Sequence, residues 1–174
     1  STGKVTQVVA VPTNRDASKA RVCGTTINCF GIGVAFSPDG KHVYATGAGS
    51  DAVYDFAVTA GKLTLAATVT VPSFVTRTPS IPVVGKTAGG PRGLAVTPDG
   101  ATLVVTSEFD SSIETFALGS GKPVLTAQGV LPGGGPAPAP LAYLYAVTPS
   151  RDSAFAHVTA VGTGVVYAVN PAAP

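Results

Sequence analysis

Residues 31–58, GIGVAFSPDGKHVYATGAGSDAVYDFAV, and residues 91–118, PRGLAVTPDGATLVVTSEFDSSIETFAL, match without a gap at an offset of 60. A weaker third copy, LYAVTPSRDSAFAHVTAVGTGVVYAVN (144–170), aligns at an offset of 51, which puts Pro149 opposite Pro98 and Tyr167 opposite Phe116. A Gly-Lys segment follows each of the first two copies, GKLTLAATVTVP (61–72) and GKPVLTAQGVLP (121–132). Its counterpart for the third copy stands at the other end of the chain, as GKVTQVVAVP (3–12). Within one unit, the apolar run Gly93–Val96 reads as a buried strand. Pro98-Asp99-Gly100 then makes a tight turn, in which proline presets φ and glycine supplies a positive one. Alternation continues through strands at 102–106 and 112–118, and the Gly-Lys segment is the fourth strand.

Four short strands repeated at a spacing of about 40–50 residues predict β-propeller blades. The expected architecture is all-β, a single partial propeller over 1–174 with three four-stranded antiparallel blades. Their units span 31–72, 91–132 and 141–170, the last completed by the circularly permuted N-terminal strand 3–12. A closed propeller typically has about 4–8 blades, so three leave apolar blade faces open. The ring is therefore expected to be completed by a second copy or a second chain, or the sequence is part of a longer one.

Composition narrows the function. Of 174 residues, 11 are Lys or Arg and 9 are Asp or Glu, or 11% charged and a net charge of +2, against about 25% charged in an average domain. This argues against a nucleic-acid partner held by bulk charge. No apolar stretch reaches the roughly 18 residues that a membrane helix needs, so no membrane span is expected. No GxSxG elbow, P-loop or HExxH occurs, and AGSD (48–51) and EFDSS (108–112) lack the spacing of a calcium loop. No cofactor and no metal site are expected. The chain begins at Ser1 and contains no Met, which suggests removal of an upstream segment such as a secretory signal. Cys23 and Cys29 enclose only GTTIN, too far apart for a CxxC redox motif. A small disulfide loop is the simplest reading, with two free thiols the alternative, and it favours a secreted, periplasmic or cell-surface location.

The stretch GGPRGLAVTPDGATLVVTSEFDSSIETF (89–116) resembles the YVTN and lactonase-like β-propellers, whose repeats run from a proline and a small-apolar strand through PDG to an aliphatic strand. The resemblance extends over the three repeats and implies a seven-bladed ring, about twice this length. It also implies a candidate site. Such propellers often carry Pro-Arg at the start of the first strand and an acid just after the second, positions matched here by Arg92 and Glu108. An arginine can hold a carboxylate in a bidentate grip, and a carboxylate can act as general acid or base in opening or closing a lactone. The family often places His after the arginine, where this chain has Gly93. In the other two units Ile32 and Tyr143 stand opposite Arg92, and Ala48 and Thr159 opposite Glu108. His157, aligned with Thr46 and Thr106, is the candidate general base.

Long links and short loops collect on the face opposite the PDG turns. Arg15, Arg21, Asp51, Arg77 and Asp110 are the candidate ligand-binding residues there. Three functions remain open at this stage. The first is an exported module binding a small ligand, glycan or protein. The second is a lactonase-like enzyme using Arg92 and Glu108. The third is a structural surface or filament subunit assembling through open blade edges.

Overall fold

The computed structural model describes Gln7 and residues 22–23, 27–28, 33–47, 50–72, 90–108, 110–119, 121–132 and 143–174. Thirteen strands form within these residues: β1 (Val22–Cys23), β2 (Ile27–Asn28), β3 (Val34–Phe36), β4 (His42–Gly47), β5 (Ala52–Thr59), β6 (Lys62–Thr70), β7 (Pro91–Val96), β8 (Thr102–Ser107), β9 (Ser112–Ala117), β10 (Val124–Val130), β11 (Leu144–Pro149), β12 (Ala156–Ala160) and β13 (Val165–Val169). Apart from the short pair β1-β2, they make three antiparallel meanders, β3-β4-β5-β6, β7-β8-β9-β10 and β11-β12-β13. These are the three expected blades of an all-β partial propeller. The first strands stand side by side, with β7 touching β3 and β4 on one side and β11 on the other.

The blades are joined by two apolar layers. Tyr44, Val53 and Val71 of the first blade meet Leu94, Leu103, Val105 and Phe116 of the second. Ala95, Val104, Ile113 and Leu131 of the second meet Leu144, Val147, Ala156, Val158 and Val169 of the third. The middle blade is covered on both faces, so Leu103, Val104, Val105, Ile113 and Phe116 are all fully buried. Each such side chain contributes about 1.5–3 kcal/mol of transfer free energy. The outer faces of the end blades are covered only in part: Val43, Ala52, Tyr54 and Phe56 of the first blade form a further buried cluster, but Val34 is 64% exposed, Phe36 63% and Val166 of the third blade 62%.

The third repeat is in a different register from the one expected. In the first blade Ser37 Oγ donates to Asp39 Oδ1 at 2.6 Å, and in the second Thr97 Oγ1 donates to Asp99 Oδ1 at 2.6 Å. The third blade repeats the device with Ser150 Oγ and Asp152 Oδ1 at 2.5 Å. Ser153, at φ 62, takes the place of Gly40 (φ 70) and Gly100 (φ 74). The offset is thus 53 rather than 51, because the hydroxyl–carboxylate pair and the positive φ define the turn while the proline is replaceable. Tyr145, not Tyr143, is the counterpart of Arg92, and Val161, not Thr159, that of Glu108.

A threonine on the second strand of each blade locks the first strands together. Thr46 Oγ1 accepts from Gly33 N at 3.2 Å and donates to Arg92 O of the next blade at 2.7 Å. Thr106 Oγ1 accepts from Gly93 N at 3.1 Å and donates to Tyr145 O at 3.4 Å. In the third blade Thr159 Oγ1 accepts from Ala146 N at 3.1 Å. The glycines are required by the close approach. A Cβ at Gly33 would stand 2.3 Å from Arg92 O, and one at Gly93 2.1 Å from Tyr145 O.

The expected strand 3–12 lies outside the described residues except for Gln7. The Gln7 side-chain amide donates to Leu63 O at 2.9 Å and accepts from Leu63 N at 2.8 Å, on β6 of the first blade. Among the described residues, the third blade has three strands, and no helix is long and apolar enough to cross a membrane.

Candidate functional site

Arg92 and Glu108 meet because β7 and β8 are antiparallel with Pro91 opposite Ser107, so both residues lie at the same end of the middle blade. Glu108 N donates to Gly90 O at 3.0 Å, which extends the ladder by one bond and fixes the acid's backbone. A register shift between Pro91 and Leu94 interrupts the pairing beside Arg92. Arg92 Nε lies 2.5 Å from Glu108 Oε2, a close charge contact whose N–H is not aligned as a hydrogen bond. The acid side chain is only 8% exposed, whereas the arginine side chain keeps 20%.

The third member comes from the next blade. Tyr145 on β11 lies under the guanidinium, with Arg92 Cζ 4.4 Å from the ring centroid. Desolvation, and then the hydrogen-bonding capacity and charge of the neighbouring Glu108, raise the phenol's pKa above its ordinary value, against the opposing pull of Arg92. The result is a guanidinium, a carboxylate and a phenol converging at the boundary of two blades.

A second polar cluster lies behind this one. Glu114 on β9 is fully buried; its Oε2 accepts from Ser107 Oγ at 3.0 Å and its Oε1 from Gln128 Nε2 at 3.0 Å. Ser112 Oγ stands 2.5 Å from both Glu114 Oε1 and Asp110 Oδ1. One hydroxyl hydrogen can bond only one of the two oxygens, so the other contact needs a proton on a carboxyl. Burial, reinforced by the Asp110 charge and outweighing the serine and glutamine donors, pushes Glu114 up to about 8. The folded chain therefore holds a proton that the unfolded chain releases above about 4.5. Stability is expected to fall as pH rises from about 4.5 to about 8 and to level off above that. Urea midpoints taken across this range should show the slope in wild type and a much flatter profile in Glu114→Gln. Equal slopes would place the proton elsewhere.

A family model described as "Lactonase, 7-bladed beta-propeller" matches residues 33–128, more than half of the sequence, from the start of the first blade into the last strand of the second. The chain belongs to the lactonase seven-bladed β-propeller family. No curated protein matches it in sequence. Among solved structures it is similar to the periplasmic gluconolactonase PpgL of Pseudomonas aeruginosa, with 27% identity and a TM-score of 0.59 over 80% of this chain and 37% of that one. Hydrazine synthase of Kuenenia stuttgartiensis shares the fold at 18% identity and TM-score 0.58, over 86% of this chain and 36% of that one. A putative 6-phosphogluconolactonase from Bacteroides uniformis does so at 19% identity and TM-score 0.52, over 79% and 40%. The chain spans 36–40% of the length of these structures.

Within this lactonase-family blade set, the remaining candidates are scattered. His157 is not brought to Arg92 and Glu108. Its neighbours Ala156 and Val158 point into the layer shared with the middle blade, so His157, exposed, points to the opposite, open face. With the offset corrected, its counterparts are Tyr44 and Val104 rather than Thr46 and Thr106. Asp110 is buried. Its Oδ1 accepts from Ser112 N at 3.1 Å and from Ser112 Oγ, closing the turn before β9. Asp51 Oδ1 accepts from Gly90 N at 3.4 Å, bridging the first blade to the start of the second. Arg15, Arg21, Arg77, Cys29 and the Cys23 side chain lie outside the described residues. Among the described residues, no group of three His, Cys, Asp or Glu side chains could hold a metal ion.

Proposed function

We propose that the complete propeller opens a lactone, with Arg92 and Glu108 at the reacting centre. The observation that supports this most is their convergence at a blade boundary, the acid nearly buried and the guanidinium still partly open. Water would add to the ring carbonyl as Glu108 takes one of its protons, and the Arg92 guanidinium would stabilise the oxyanion that forms. When the ring C–O bond breaks, the proton held by Glu108 passes to the departing ring oxygen, giving a hydroxy acid whose carboxylate suits the same arginine. The same groups run in reverse would close a lactone. Membership of the lactonase family and the 27% identity to a gluconolactonase are consistent with this reading.

The ring is part of the proposal. Further blades, from a second copy, a second chain or a longer polypeptide, would cover Val34 and Phe36 on one side and Val166 on the other. We also propose export and a Cys23–Cys29 bridge. The test is base uptake at constant pH when the protein, in the assembly set by its native mass, meets a panel of γ- and δ-lactones. Turnover supports the reading. Saturable binding with no acid released would instead make this a binding module.

A further inference from the structure

We infer that Tyr145 is a positioning residue for the Arg92–Glu108 pair, supplied across the blade boundary so that the site is finished only when the third blade is docked. The inference rests on the lactone reading and adds to it a residue that the repeat containing the pair does not carry.

Two contacts fix Tyr145, and Glu108 neighbours its hydroxyl. Tyr145 O accepts from Thr106 Oγ1 of the middle blade at 3.4 Å, which ties this point of β11 to β8, the strand that leads into Glu108. The ring carries the guanidinium 4.4 Å from its centroid, a cation–π contact that holds the arginine plane without using its N–H donors. The hydroxyl end lies near enough to Glu108 for the acid to raise its pKa, after desolvation. Tyr145 thus supports the arginine with its ring and neighbours the acid through its hydroxyl. Its place on β11 is the place of Arg92 on β7, so the repeat itself projects the two side chains to neighbouring positions at the same end of adjacent first strands.

The experiment compares wild type, Tyr145→Phe and Tyr145→Leu in kcat and KM on a lactone that wild type opens. The Phe variant keeps the ring under Arg92 and loses only the hydroxyl. Its kcat should fall roughly 10- to 100-fold at nearly unchanged KM, because the base is no longer held in line. The Leu variant should fall further and also raise KM, as the arginine loses its support. A readout that needs no turnover accompanies these: the wild-type minus Tyr145→Phe difference in phenolate absorbance isolates this tyrosine among the five. Its ionisation should shift down, towards the ordinary tyrosine range, in Glu108→Gln. If wild type opens lactones and Tyr145→Phe matches it in kcat and KM, the positioning role is overturned and the lactone reading stands. If assembled wild type opens none, both fall.

Discussion

Replacing Glu108 with Gln is expected to lower kcat for lactone opening by roughly 10²–10⁴-fold, the range associated with loss of a positioned general base. The substitution is nearly isosteric. The backbone bond from Glu108 N to Gly90 O at 3.0 Å is untouched, and the amide oxygen can still face the guanidinium. What is removed is the charge and the capacity to take a proton. Breaking a fully buried ion pair costs about 3–5 kcal/mol because the surviving charge is stranded. The expected stability loss is smaller here, since the Arg92 side chain remains 20% exposed and rests on an aromatic face. The variant should therefore fold and show kcat and kcat/KM reduced in parallel, the signature of an interaction that operates in the transition state. Steady-state kinetics on assembled protein with an unchanged far-ultraviolet circular dichroism spectrum check this. A folded Glu108→Gln that keeps the wild-type rate would remove the acid from the reaction.

The pair itself was legible in the sequence; its third member was not. The gapless match of 31–58 to 91–118 fixes two blades strand for strand, because turn, strand length and apolar pattern all agree between them. The third repeat keeps fewer of these marks. Matching Pro149 to Pro98 slides it by two residues, enough to hide Tyr145 behind Tyr143 and to move His157 from the open face towards the loops. The signal that corrects it is present in the chain: Ser150-Arg151-Asp152-Ser153 preserves the hydroxyl and the carboxylate that build the turn. Glu114 escapes for another reason. Alternation marks one face as wet only when a sheet has a wet face, and β9 is buried along five of its six positions because the middle blade is covered on both sides. A carboxylate in SIETF then reads as solvent-facing although it lies between two apolar layers.

That double cover also makes the middle blade the most sensitive place to add a single methyl group. Gly93→Ala is expected to destabilise the fold by about 3 kcal/mol, the upper end of what overpacking normally costs. A Cβ there would stand 2.1 Å from Tyr145 O and 2.7 Å from Thr106 Oγ1. The nearer atom is backbone, so no rotamer change relieves the contact; β11 must move away, stretching the Thr106 bridge and opening the layer of Leu144, Val147, Ala156 and Val158 against Val104 and Ile113. Because Gly93 does not have a positive φ, the cost arises from this contact and not from backbone strain. Gly119→Ala, with no atom within 4 Å of the added carbon, is the control and should stay within roughly 0.5 kcal/mol of wild type. Urea midpoints of the two variants decide the matter, and equal midpoints would mean that the blades are not held at this spacing. The displacement also reaches the chemistry, since the carbonyl that must move belongs to Tyr145. Gly93→Ala should therefore lose lactone opening even where it remains folded. The third repeat carries Ala146 at this position, so in the proposed ring a blade docking beyond it would be held farther off than β11 is from β7.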